Sequence, residues 1–307
     1  MLSPKYWKLD AILRLFVGVF ICMTAGSLFG GLLNFTDAGR RPGWVLRLVI
    51  AGAFGFLGAT LVLLRKSWSL ESLRRRLWVL LLCLYAGFFL TFWGEKLFGP
   101  PSTEASVQQL IVAVVSFQGA GLYLTHCFLR EHQMSWREAF GFSNNWRHAV
   151  FLGVVFACVF LPVARGLQAG AMALMQELVK HLPQLPLKPE EQQAVQALRT
   201  ATSVVSRIVT GAVTIVLAPV AEEVLFRGIL YPSIKQIGFP RLAFWGTAVL
   251  FAGIHVNSVT FLPLFILALI LTVLYERTNN LLAPIAAHSA FNGLNFAMLY
   301  VLERRAA

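Results

Sequence analysis

The chain has 307 residues, of which 57% are hydrophobic and only 13% charged, with apolar runs recurring from end to end. Such a composition excludes a soluble globule and predicts a polytopic membrane protein. The formal charge of +12, from 26 Lys and Arg against 14 Asp and Glu, would suggest nucleic acid in a soluble domain. Here the basic residues sit mainly in short connections between apolar runs, a topology signal, so no nucleic-acid partner is expected.

In chain order, the predicted fold is all-α, a bundle of about eight or nine transmembrane helices. Their spans fall at about 11–33, 44–64, 77–98, 106–129, 148–168, 203–230, 241–257, 260–275 and 282–302. The first run follows Lys5 and Lys8 like a signal peptide, but it is too long for a typical h-region and lacks a clear A-x-A site, so it reads as an anchor. Gly26 and Gly30 form a G-x-x-x-G, and Gly52, Gly55 and Gly58 line the second span, which suits close helix contact. Between the second and third spans, Arg65, Lys66, Arg74, Arg75 and Arg76 face only Glu71, which places that connection in the cytoplasm. Alternation then puts the N-terminus inside, together with Arg130, Arg137, Arg147, Lys235 and Arg241, while Arg40, Arg41, Arg304 and Arg305 fall on the opposite side. An integral multi-pass protein of a bacterial cytoplasmic membrane is the resulting expectation.

Cys22, Cys83, Cys127 and Cys158 stand singly in apolar segments, with no C-x-x-C pair, so neither a disulfide framework nor a Cys-ligated zinc is expected. One long polar excursion interrupts the bundle, from Arg165 to Arg207, broken by Pro183, Pro186 and Pro189; most simply it is a solvated connector. The expected organisation is therefore 1–202, N-terminal membrane helices with a polar loop at about 169–202, followed by a helical core at 203–302.

That core carries the chemistry. Glu222, Glu223 and Arg227 lie in an apolar run, where each charge costs roughly 2.5–3.5 kcal/mol to insert, so three in six residues require partners or a function. Glu223 and Arg227 are i and i+4 with the acid first, suited to an ion pair, while Glu222 is turned about 100° away and left free. Pro219 removes an amide donor and, in an α-helix, exposes the carbonyl of Ile215. The next span pairs Phe251 with His255 and the last pairs His288 with Asn292, each at i, i+4 and so on one helix face. Glu222 and His255 are equidistant from a turn at Gly238-Phe239-Pro240, with roughly 25 Å of helix on either arm, so an antiparallel hairpin brings them level. A carboxylate and an imidazole at one depth make a water-activating couple, and His288 with the Asn292 amide can donate to an oxygen that becomes negative. Alternatively, Glu222, His255 and His288 are candidate ligands of a zinc ion with an open fourth position, although no H-E-x-x-H demands one. His126, His132, His148 and His181 sit at span ends or in loops and carry no assignment.

Taken in order, E-E-x-x-x-R at Glu222, Glu223 and Arg227, F-x-x-x-H at Phe251 and His255, and H-x-x-x-N at His288 and Asn292 resemble the CPBP family. Its members are CAAX-type prenyl endopeptidases and bacteriocin-processing and immunity proteins, also called the ABI family of intramembrane proteases. The likeness covers about 203–300. It implies Glu222 as the water-activating base with His255, and His288 with Asn292 as the oxyanion-stabilising pair. Glu223 and Arg227 are then supporting partners, and Phe251 shapes the pocket. The implied substrate is a peptide or protein at the lipid bilayer, membrane-associated or lipidated, and the family's description both as metalloproteases and as glutamate-dependent proteases leaves zinc open. Two other classes compete with the endopeptidase: a proton-coupled transporter with Glu222 and His255 as relay, and a catalytically silent immunity or scaffold protein.

Overall fold

A computed structural model describes residues 7–37, 107–181 and 204–306. Among the described residues the chain is entirely helical, with no strand. The expected spans 44–64 and 77–98, the basic connection 65–76, Gly52, Gly55, Gly58, Arg40, Arg41 and the loop residues 182–202 lie outside them. The described residues form eight helices in two compact units, α1 and α2 in one and α3 to α8 in the other. Among the described residues five helices are long and apolar enough to cross a membrane, containing Leu9–Ser27, Leu110–Glu131, Trp146–His181, Ser206–Gln236 and Ser258–Thr278, as a multi-pass membrane protein requires.

In the first unit, α1 (Leu9–Asp37) packs on α2 (107–131), whose middle widens into a π turn at Val115–Gly119. Gly26 is needed at this crossing, because a Cβ there would overlap the Ser116 side chain. Arg14, one turn after Asp10, reaches Glu131 at the end of α2, so a charge inside the apolar face of α1 is paired. Cys22 and Cys127 of this unit, and Cys158 of the second, are free thiols.

The second unit opens on α3 (Trp136–Phe140), started by a capping box between Ser135 and Glu138 and ended by Gly141 at φ +69°. The Ser135 N–H and hydroxyl hold the exposed Glu138 carboxyl below its usual range. Next comes α4 (Trp146–His181), a single helix of 36 residues. It continues well past the expected span end at 168, so residues 169–181 are helix and not loop; nothing before Pro183 stops it, and Pro162 is accommodated inside. Its buried stripe of Ala149, Gly153, Ala157 and Ala164 is small enough for backbone approach. A Cβ on Gly153 would stand 2.9 Å from the Ala287 nitrogen and would strike the Ala283 carbonyl, both on the last helix. The motif-bearing stretch is thus part of a larger unit that includes α3 and α4.

Residues 204–236 form α5, interrupted by π turns at Val213–Leu217 and Val224–Leu230. Each π turn ends two residues before a proline, Pro219 and Pro232, whose missing N–H leaves a carbonyl without its helical partner. The chain reverses through Gly238, at φ +100°, into α6 (Pro240–Gly253), as the hairpin arithmetic predicts. With 14 residues, or about 21 Å, α6 is short of the roughly 30 Å hydrocarbon core. The expected span 241–257 is corrected accordingly: its last four residues form the reversal into α7 (Ser258–Thr278), which is capped by the Asn257 side chain on the Thr260 N–H. The last helix, α8 (Leu282–Ala306), is long enough to span but interrupted by polar residues, and it packs chiefly on α4.

Candidate active site

Glu222 and Glu223 occupy the short α-helical interval Ala218–Glu223 between the two π turns of α5, and Arg227 lies inside the second. The ion pair expected from their spacing forms: Arg227 Nη1 donates to Glu223 Oε1 at 2.9 Å, with both side chains sealed from solvent. The guanidinium also donates from Nη2 to the Ala268 carbonyl of α7 at 3.1 Å and lies 4.4 Å over the Phe251 ring of α6. From the other side His288 Nδ1 meets the same Glu223 Oε1 at 2.9 Å. One buried pair therefore ties α5, α6, α7 and α8 together.

Glu222 is differently placed. It has no Arg partner at hydrogen-bond distance and keeps 9% exposure where Glu223 has none. His288 Nε2 stands 4.0 Å from its Oε2, and His288, His255, Glu223 and Arg227 are the charged or titratable groups acting on it. Since Nδ1 of His288 faces a carboxylate, it carries a proton, and Nε2 is the atom turned towards Glu222.

His255 departs from the sequence expectation in its local structure. The helix ends at Gly253, so Phe251 and His255 do not share a continuous helical face; His255 lies in the reversal, with its Nδ1 2.7 Å from the Phe251 carbonyl. A carbonyl only accepts, so Nδ1 carries a proton and Nε2 is the nitrogen left for other contacts. Phe251 itself is a hub: its ring meets Phe226 edge-on, His255 at 5.0 Å and His288 at 5.7 Å. Sequence spacing gives no sign of its place beneath Arg227.

On α8, His288, Asn292 and Phe296 recur at i, i+4, i+8 and face α5. His288 bonds Glu223, Asn292 Nδ2 donates to the Thr214 carbonyl at 2.9 Å, and the Phe296 ring would lie 3.1 Å from a Cβ on Gly211. Phe296 and Gly211 were not legible as site residues; a small residue facing an aromatic across two distant helices leaves no local pattern.

Residues 204–294 match the family described as Type II CAAX prenyl endopeptidase Rce1-like. Over this stretch the chain is similar to that family. The Rce1-like part runs from the start of α5 into α8 and so contains Glu222, Glu223, Arg227, Phe251, His255, His288 and Asn292, every residue on which the CPBP resemblance was drawn. Within it the chain is also similar to the UPF0177 protein YxdF of Lactococcus lactis subsp. lactis (strain IL1403), 36% identical over 89 residues. These make up 29% of this chain and 49% of that protein, so the chain spans about half the length of the curated relative it matches. No solved structure matches it.

A zinc ion fits this Rce1-like site poorly. Among the described residues no three His, Cys, Asp or Glu side chains are grouped as a metal would need, so Glu222, His255 and His288 do not present a converged ligand set. His288 has moreover committed Nδ1 to Glu223.

Proposed function

We propose that the protein is an intramembrane endopeptidase of the bacterial cytoplasmic membrane, cutting a peptide bond in a membrane-associated or lipidated substrate. The observation that carries this reading is the different surroundings of adjacent acids: Glu223 is consumed by Arg227 and His288, while Glu222 keeps a carboxylate edge with no arginine on it, 4.0 Å from His288 Nε2. Unpaired acids at membrane depth are functional by default. In the proposed reaction Glu222 takes a proton from a water that His255 Nε2 orients by accepting its second hydrogen. The hydroxide attacks the peptide carbonyl carbon, and the carbonyl oxygen becomes negative. His288 donates to it through Nε2. Collapse breaks the C–N bond, and Glu222 returns its proton to the leaving nitrogen. No step passes through a metal.

Comparing new protein termini in cells carrying the native chain and Glu222→Gln tests the proposal. The amide is isosteric but cannot take the proton, so native-dependent termini should vanish, a loss of about 10²-fold or more, while the protein accumulates normally. Termini unchanged in the Gln form would sink the protease and leave a scaffold; altered proton flux without altered termini would indicate a transporter.

A further inference from the structure

The bond between Asn292 and Thr214 follows from a defect in α5. Proline at 219 has no N–H to give. In an α-helix the carbonyl deprived of its partner would be that of Ile215, four residues back. But α5 is not in α register there: Ala218 N–H donates to the Val213 carbonyl, five residues back, in the π turn Val213–Leu217. Continued by one residue, the same pattern assigns residue 219 to Thr214, and it is the Thr214 carbonyl that Asn292 Nδ2 meets at 2.9 Å. A side chain from α8 therefore supplies the hydrogen that the proline lacks. No water is at hand in a bilayer to do so instead.

Asn292 is one turn from His288 on α8, and His288 holds Glu223. The two bonds thus clamp α5 on either side of Pro219 and Glu222. Resting on the protease reading above, we infer that Asn292 is a positioning residue: it stands in for the absent Pro219 N–H, holds the π register, and thereby sets the rotation at which Glu222 faces the reacting water. Its second N–H contributes less than this anchorage.

Restoring the backbone hydrogen tests this. Pro219→Ala provides an N–H for the Thr214 carbonyl and should by itself leave cleavage within about twofold of native. Asn292→Ala should lower cleavage about tenfold or more and the unfolding temperature of the detergent-purified protein by about 5 °C, as expected for an orphaned buried carbonyl. Adding Pro219→Ala to Asn292→Ala should return both to within about twofold and about 2 °C of the Pro219→Ala protein. Where the single variant does not accumulate, folded yield of double against single is the readout. If the unfolding temperature or the yield is not recovered, the capping role is wrong. If stability is recovered but cleavage is not, Asn292 acts by touching the substrate and the positioning role is overturned. Absence of cleavage by the native chain would defeat the protease reading alone, while the unfolding measurement would still decide whether Asn292 replaces the proline's hydrogen.

Discussion

At the scale of single residues, two neighbouring acids have different surroundings. Glu223 has Arg227 and His288 on one oxygen, yet its Oε2 and the Arg227 Nε have no protein hydrogen-bond partner, so the pair is poorly compensated as a source of stability. In the proposed mechanism its value is geometric, since Glu223 holds His288 beside Glu222. Arg227→Met should therefore cost about 3–5 kcal/mol by stranding the buried Glu223 carboxylate, measured by denaturant titration in detergent. Combining it with Glu223→Gln should recover most of that stability while cleavage stays low, because His288 loses its charged anchor. Recovery of both together would show that the pair serves the fold alone. The polar residues of this cluster were legible in the sequence because charge and imidazole in an apolar run are conspicuous. Phe251 was legible only as packing, because nothing in the spacing of an aromatic says which cation lies over its face.

At the scale of elements, helices α5, α6 and α8 were placed by hydropathy and the α5–α6 reversal by its Gly-Phe-Pro turn. Departures from α geometry were not. A π turn differs from an α turn by one residue of register, which leaves the apolar pattern intact, and so the carbonyl freed by Pro219 was assigned to Ile215 when Asn292 caps Thr214. The length of α4 was missed for a related reason: Arg165, Gln168 and Glu177 lower its hydropathy, and polarity was taken for loop where no helix breaker precedes Pro183. The α4 crossing with α8 yields a prediction of its own. Gly153→Val would push a side chain against the Ala283 carbonyl and the Ala287 nitrogen, backbone atoms of the helix that carries His288. A loss of about 1–3 kcal/mol in unfolding free energy is expected, with cleavage falling more than stability because α8 is displaced. The same substitution at Gly170, where among the described residues an added Cβ would meet nothing within 4 Å beyond its own turn of helix, should be silent in both assays.

At the scale of the whole molecule, the second unit has two distinct ends. One gathers the start of α4, the α5–α6 turn and the α7–α8 turn, joined by Tyr231 and Lys235 on Glu276 and by Asn144 on Asn279. It carries Arg137, Arg147, Lys235, Arg241 and Arg277, an excess of basic residues from which we propose that it faces the cytoplasm. The other end holds the α6–α7 reversal, where Val256 is 87% exposed. In a cysteine-free background, Val256→Cys should react with a membrane-impermeant thiol reagent on intact cells, and Ser143→Cys only after permeabilisation. The opposite pattern would invert the orientation. The proposed orientation rests on charge in the sequence, whereas the shortness of α6 was not legible there, because the apolar run continues through the reversal.

A π turn is an α-helix carrying one surplus residue, and Val213–Leu217 lies immediately before the acids of α5. Deleting one residue there would let ordinary helix form, yet everything upstream would swing by about 100° relative to Glu222. Thr214 would leave the Asn292 amide and Gly211 would leave Phe296, so α8 could keep its hold above the acids or at Glu223 but not at both. An insertion that looks like a blemish in the helix is what lets one partner helix read the other along its full length.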